Sequence, residues 1–286
     1  MKKQEYYAIL LKEAKCTDVN KCLLKNSFET GNYNNNSINS FVYDFQYLPE
    51  YDELNELFPL NKIARNGNTF DKAVNIMNWL ASKTDYNGYS KLGMESPVNI
   101  IDFSFDKGFD GAINCVNKAI LLSDCLLSIG IYALPVWINN RIYSKDNEEY
   151  GRGVSHVVVH IFIDEFNKWV MFDPSFNSYL EDVNGNILNL IEIAELYKTK
   201  QQIQIKQYEL NGDKNQFKEY YLEQFIFKSL LAISILKGNS FQNRDFDLLY
   251  YLLPVKPEDY FGEYFEIFNS RIINVDDFLR FPPMKL

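Results

Sequence analysis

The stretch HVVVHIFIDEFNKWVMFDPS, His156 to Ser175, decides the fold. Two runs of β-branched and aromatic residues flank a short charged connection, which is the pattern of an antiparallel hairpin. The turn is predicted to centre on Glu165 and Phe166, with Asp164 opposite Asn167. Facing residue numbers then add to 331, so Val158 faces Asp173 and His156 faces Ser175. Side chains at 156, 158, 160, 173 and 175 share one side of the sheet. Asp173 becomes a diagonal neighbour of both His156 and His160, the only histidines in the chain. Parity does not choose between them, and a slip of one residue would carry Asp173 to the other face.

Upstream, IYALPVWI (131–138) reads as a third strand of the same antiparallel sheet. Before it, CVNKAILLSDCLLSIG (115–130) is apolar from Val116 to Ile129 and ends on Gly130, the signature of a helix with its C-terminal stop. That helix opens at or beside Cys115, which follows Gly111-Ala112-Ile113-Asn114. A sulfur placed there faces unpaired N–H groups and the positive end of the helix dipole, which favour thiolate. Cys125, in mid-helix, reads as a small buried core residue. Further upstream, TFDKAVNIMNWLASKTDY (69–86) forms another helix. Thr69 is its predicted N-cap, and Ala73, Ile76, Met77, Leu80 and Ala81 are its apolar face. Past residue 180, NGNILNLIEIAELY (184–197) and FKEYYLEQFIFKSLLAISILKG (217–238) read as helices. DFDLLYYLLP (245–254) is either a short strand or a helix.

The remaining features narrow the functional classes. The 286 residues are 47% hydrophobic and 23% charged, a globular composition. A net charge of -9 argues against a phosphate-binding surface, so nucleic acid is not an expected partner. The N-terminal QEYYAILLKEAKC reads as an amphipathic helix without a signal-peptide cleavage site. NYNNNSINS (32–40) reads as an exposed loop. The most apolar later run, FIFKSLLAISIL, has 12 residues including Lys228, too short for a bilayer, so no membrane partner is expected. The four cysteines (16, 22, 115 and 125) lack CxxC spacing and point to a reducing, cytoplasmic setting, with neither a metal nor a cofactor expected.

Cysteine at a helix start, histidine on a strand and a carboxylate beside it make up a nucleophile, a base and an orienting group. In that order the segments resemble the transglutaminase-like superfamily of cysteine enzymes. FDKAVNIMNWLASKTDY resembles the helix before the family's nucleophile, and CVNKAILLSDCLLSIGIYALPVW its Cys helix and following strand. SHVVVHIFI resembles its His strand, and NKWVMFDPSF its W-x-x-x-D-P segment. The resemblance covers about residues 69 to 180. It implies Cys115 as nucleophile, His156 rather than His160 as general base, and Asp173 as orienting acid. The backbone N–H of Cys115, with the Asn114 side chain, is the expected oxyanion donor. Arylamine N-acetyltransferases share the Cys, His, Asp order, but Trp169 to Asp173-Pro174 favours the peptidase and transglutaminase branch.

The expected fold is therefore α+β, a papain-like/transglutaminase-like core with the Cys helix packed on an antiparallel sheet. Residues 1–68 are expected to form a helical and loop extension, 69–180 the catalytic core, and 181–286 a mainly helical addition. The expected activity is acyl transfer from a peptide, protein or other amide through a thioester, with hydrolysis favoured over transamidation. The alternative is an inactive domain of the same fold that binds a protein or glycan through its aromatic residues.

Overall fold

A computed structural model describes residues 41–139 and 155–207 and, beyond them, 221, 222, 226, 232–239, 249–253, 261, 269–280 and 282. The predicted N-terminal helix, the 32–40 loop, Cys16 and Cys22 lie outside the described residues. Helices α1 (Pro49–Leu57) and α2 (Leu60–Ala64) lead into α3 (Thr69–Lys83), α4 (Pro97–Ser104) and α5 (Cys115–Leu127). Strands β1 (Ala133–Asn139), β2 (Ser155–Ile163), β3 (Lys168–Asp173) and β4 (Ser178–Glu181) follow, then α6 (Leu190–Lys198) and β5 (Gln204–Gln207). Strands β6 (Ala232–Leu236) and β7 (Leu249–Leu252) and the short α7 (Val275–Phe278) complete the described elements. The architecture is α+β.

The hairpin register is the expected one. Pairs from Val159–Phe172 to Ile163–Lys168 all add to 331. Asp164 to Phe166 form a single 3-10 turn, closed by the Asn167 N–H donating to the Asp164 carbonyl at 3.1 Å. Asn167 takes the left-handed conformation (φ 50°), which asparagine tolerates better than most residues.

Parity sorts the hairpin between two cores. Val157, Val159, Ile161, Ile163, Val170 and Phe172 pack with Ile120, Leu122 and Leu126 of α5. Val158, Phe162, Trp169 and Met171 belong to a second core with Tyr43, Tyr221, Ile226 and Phe278. The alternation places His156, His160 and Asp173 on the side of the second core, away from the body of α5.

Two expectations change. Asn68, not Thr69, caps α3, its Oδ1 accepting from the Asp71 N–H at 2.7 Å. Thr69 instead pins the helix start to the hairpin turn, its N–H donating to Glu165 Oε1 at 2.7 Å and its hydroxyl to Asp164 Oδ2 at 3.3 Å. The expected mainly helical C-terminal addition contains β5, β6 and β7, so strands from beyond residue 181 join the same seven-stranded antiparallel sheet, ordered β5-β4-β3-β2-β1-β6-β7. AISIL (232–236) is strand β6, paired with β1 on one side and β7 on the other. Ala232 and Leu236 enter one core, Ile233 and Ile235 the other. A strand covered on both faces has no polar alternation, which is why its sequence reads equally well as a buried helix. LYYL (249–252) resolves as a strand for the same sheet. Among the described residues no helix is long and apolar enough to cross a membrane.

Candidate active site

Cys115 is the first residue of α5, half-buried, and the one residue of that helix packed against both cores. Its position is built from the residues before it. A Cβ on Gly111 would lie 2.9 Å from the Phe103 carbonyl oxygen, so the chain turns into the helix there only as glycine. Ile113 is clamped on both sides, its N–H donating to the Asp85 carbonyl at 3.0 Å and its carbonyl accepting from the Asn87 N–H at 2.9 Å. Asn114 is the N-cap. Its Oδ1 accepts from the Asn117 N–H at 3.0 Å, while Nδ2 donates to the carbonyls of Leu92 at 3.2 Å and Ser90 at 3.5 Å. The carboxamide expected to stabilise an oxyanion is thus committed at both ends to holding the 90–92 segment and the helix start.

His156 and Asp173 are fully buried and meet through His156 Nε2 and Asp173 Oδ2 at 2.8 Å. Cys115 acts on the same ring and favours its charged form. Burial works against a charged ring, but the charge and hydrogen bond of Asp173, together with the Cys115 partner, prevail and raise His156 to about 10. The shift favours the protonated imidazole. Asp173 and Cys115 thus both act on the His156 ring.

No protein-family model and no curated protein matches the sequence. One solved structure, a candidate cysteine protease from Cytophaga hutchinsonii, is 15% identical, with a TM-score of 0.34. The match covers 66% of this chain and 61% of the neighbour's length.

His160 lies apart from these residues. Its ring is stacked between Trp169 at 5.4 Å and Phe278 at 4.7 Å, and neither nitrogen has a hydrogen-bond partner among the described residues. Burial, with a smaller contribution from Lys168, lowers its pKa to about 3. Strand parity left the two histidines equivalent; the aromatic sandwich makes this one a neutral core residue. An unfolded histidine titrates near 6.5, so from about pH 6.5 down to about 3 the unfolded chain takes up a proton that the folded chain refuses. Stability therefore falls as pH drops through that window. His160→Phe is expected to remove this part of the acid sensitivity, worth about 3 kcal/mol at pH 4.5, as read from urea midpoints at pH 7 and 4.5. An equal loss in the variant and the parent would refute it.

Cys125 is fully buried, and burial, reinforced by Asp124, pushes its thiol well up, as an inert core cysteine requires. Tyr221 was not anticipated. Its hydroxyl donates to Asp173 Oδ2 at 2.8 Å, and the Ser175 N–H donates to Oδ1 at 2.9 Å. No local pattern around Tyr221 marks it, because its partner lies 48 residues away in sequence. Among the described residues no group of three or more His, Cys, Asp or Glu side chains is arranged to hold a metal ion.

Proposed function

We propose that the protein is a cysteine-dependent hydrolase of transglutaminase-like design that cleaves an amide bond, with Cys115 as nucleophile, His156 as acid and base, and Asp173 orienting His156. The observation that carries this reading is the His156 imidazole bound on Nε2 by the buried Asp173 carboxylate, with the helix-opening Cys115 acting on the same ring. Cys115 attacks the carbonyl carbon as the thiolate and forms a C–S bond. The oxyanion is received by the backbone N–H of Cys115, which helix geometry leaves without an intrahelical acceptor. As the C–N bond breaks, His156 gives its Nδ1 proton to the departing amine and becomes neutral. Water then attacks the thioester, His156 takes a proton from it, and the thiolate leaves to restore the starting ion pair. Replacing that water by an amine gives transamidation.

The same reading implies a peptide, protein or other amide as substrate, no nucleic acid or membrane partner, and a reducing, cytoplasmic setting that keeps the thiol free. Labelling with iodoacetamide near neutral pH tests it. One site is expected to react at least about tenfold faster than the other cysteines, and Cys115→Ala is expected to abolish that phase. Equal labelling of all cysteines would sink the nucleophile assignment and leave a binding module of the same fold.

A further inference from the structure

Among the described residues Asp173 receives three donors on two oxygens, and two of them, the His156 ring and the Tyr221 hydroxyl, converge on Oδ2 at 2.8 Å each. Tyr221 is fully buried and edge-packed on Phe176 at 5.3 Å, and Phe176 in turn lies against the His156 ring at 6.1 Å and Tyr86 at 5.3 Å. The hydroxyl is aimed by this packing. Burial and the Asp173 charge both raise its pKa well above the ordinary tyrosine value, so it stays a neutral donor across the working range.

An acceptor shared by two donors binds each less strongly than it would bind one alone. A carboxylate that served only His156 would hold the imidazolium more firmly, and the ring would be a poorer acid towards a departing amine. We infer that Tyr221 is a positioning residue that divides Asp173 Oδ2 with His156, keeps the imidazolium proton transferable, and makes the C-terminal segment part of the active site. This rests on the acyl-transfer reading for its purpose, but its physical content concerns only His156. Residues 69 to 180, which carry the cysteine, histidine and carboxylate, lack the residue that tempers them.

Tyr221→Phe keeps the ring and removes only the hydroxyl. With two histidines in the chain, His156→Ala and His160→Phe assign the two imidazole spin systems by NMR. In Tyr221→Phe the His156 Nε2–H proton is expected to move downfield, and the His156 titration to move upward by on the order of half a unit. Alkylation of Cys115 by iodoacetamide, which needs the thiolate but no proton donor, is expected to stay within about twofold. A folded variant with an unchanged Nε2–H resonance would make Tyr221 merely structural and overturn the inference. In the unaltered protein, a nuclear Overhauser contact between the Tyr221 hydroxyl proton and the His156 Nε2–H proton is expected, and its absence would also overturn it. If Cys115 shows no fast alkylation, the acyl-transfer reading fails, while these resonances still decide whether Tyr221 tunes His156.

Discussion

His156→Ala is expected to lower turnover of an amide substrate at neutral pH by about a thousandfold or more and to abolish the fast phase of Cys115 alkylation. The imidazolium is at once the counter-charge of the thiolate and the acid for the departing amine, so its loss removes two functions. His160→Ala is the matched control. Its ring fills the space between Trp169 and Phe278, so truncation is expected to cost about 2–4 kcal/mol in urea denaturation and to leave alkylation per folded molecule nearly unchanged. The two histidines also separate by pH. A ring raised from an ordinary value near 6.5 to about 10 contributes stability that is fully present below about pH 6.5 and lost as pH rises through about 10. His156→Ala should therefore flatten the alkaline side of the stability profile, whereas His160→Phe flattens the acid side. Silencing of Cys115 by His160→Ala, with His156→Ala still reactive, would reverse the assignment.

What could be read in the sequence divides along the reach of the interactions. The hairpin register followed from a four-residue turn and the two-residue period of strands, and the 331 pairing places Asp173 on the side of both histidines. The start of α5 at Cys115 and the stop at Gly130 (φ 80°), just past its last residue Leu127, are likewise local, the latter closed by the Ile131 N–H donating to the Leu126 carbonyl at 2.9 Å. Parity left His156 and His160 equal, because what separates them is packing from distant segments. Phe278 covers one ring, and Cys115 acts on the other. Asn114 was read only as a polar residue beside the nucleophile; its capping bond to the Asn117 N–H is local, whereas the carbonyls of Ser90 and Leu92 that claim its amide arrive from a preceding loop and carry no local signal. Strand β6 was misread for a related reason: burial on both faces erased the alternation that marks a strand at an open surface.

Asp173→Asn is expected to act in the direction opposite to Tyr221→Phe, and more strongly. Three donors converge on the two Asp173 oxygens, so an amide in that place must turn its NH2 towards at least one of them. The counter-charge disappears as well, and burial, the largest influence on His156 and one that lowers its pKa, is then opposed by far less. The histidine is expected to be neutral at neutral pH, unable to pair with a thiolate or to give a proton to an amine. Turnover is expected to fall about 10³- to 10⁴-fold, and fast alkylation of Cys115 to survive only at acidic pH, if at all. Removing one partner of a buried ion pair is also expected to cost about 3 kcal/mol in urea denaturation at neutral pH. The sign of the His156 titration is the sharper test. Tyr221→Phe should move it up and Asp173→Asn down, because one variant removes a competitor for the carboxylate and the other removes its charge. A His156 titration that stays near 10 in Asp173→Asn would mean that the carboxylate is not what holds the proton, and the orienting role of Asp173 would fall with it.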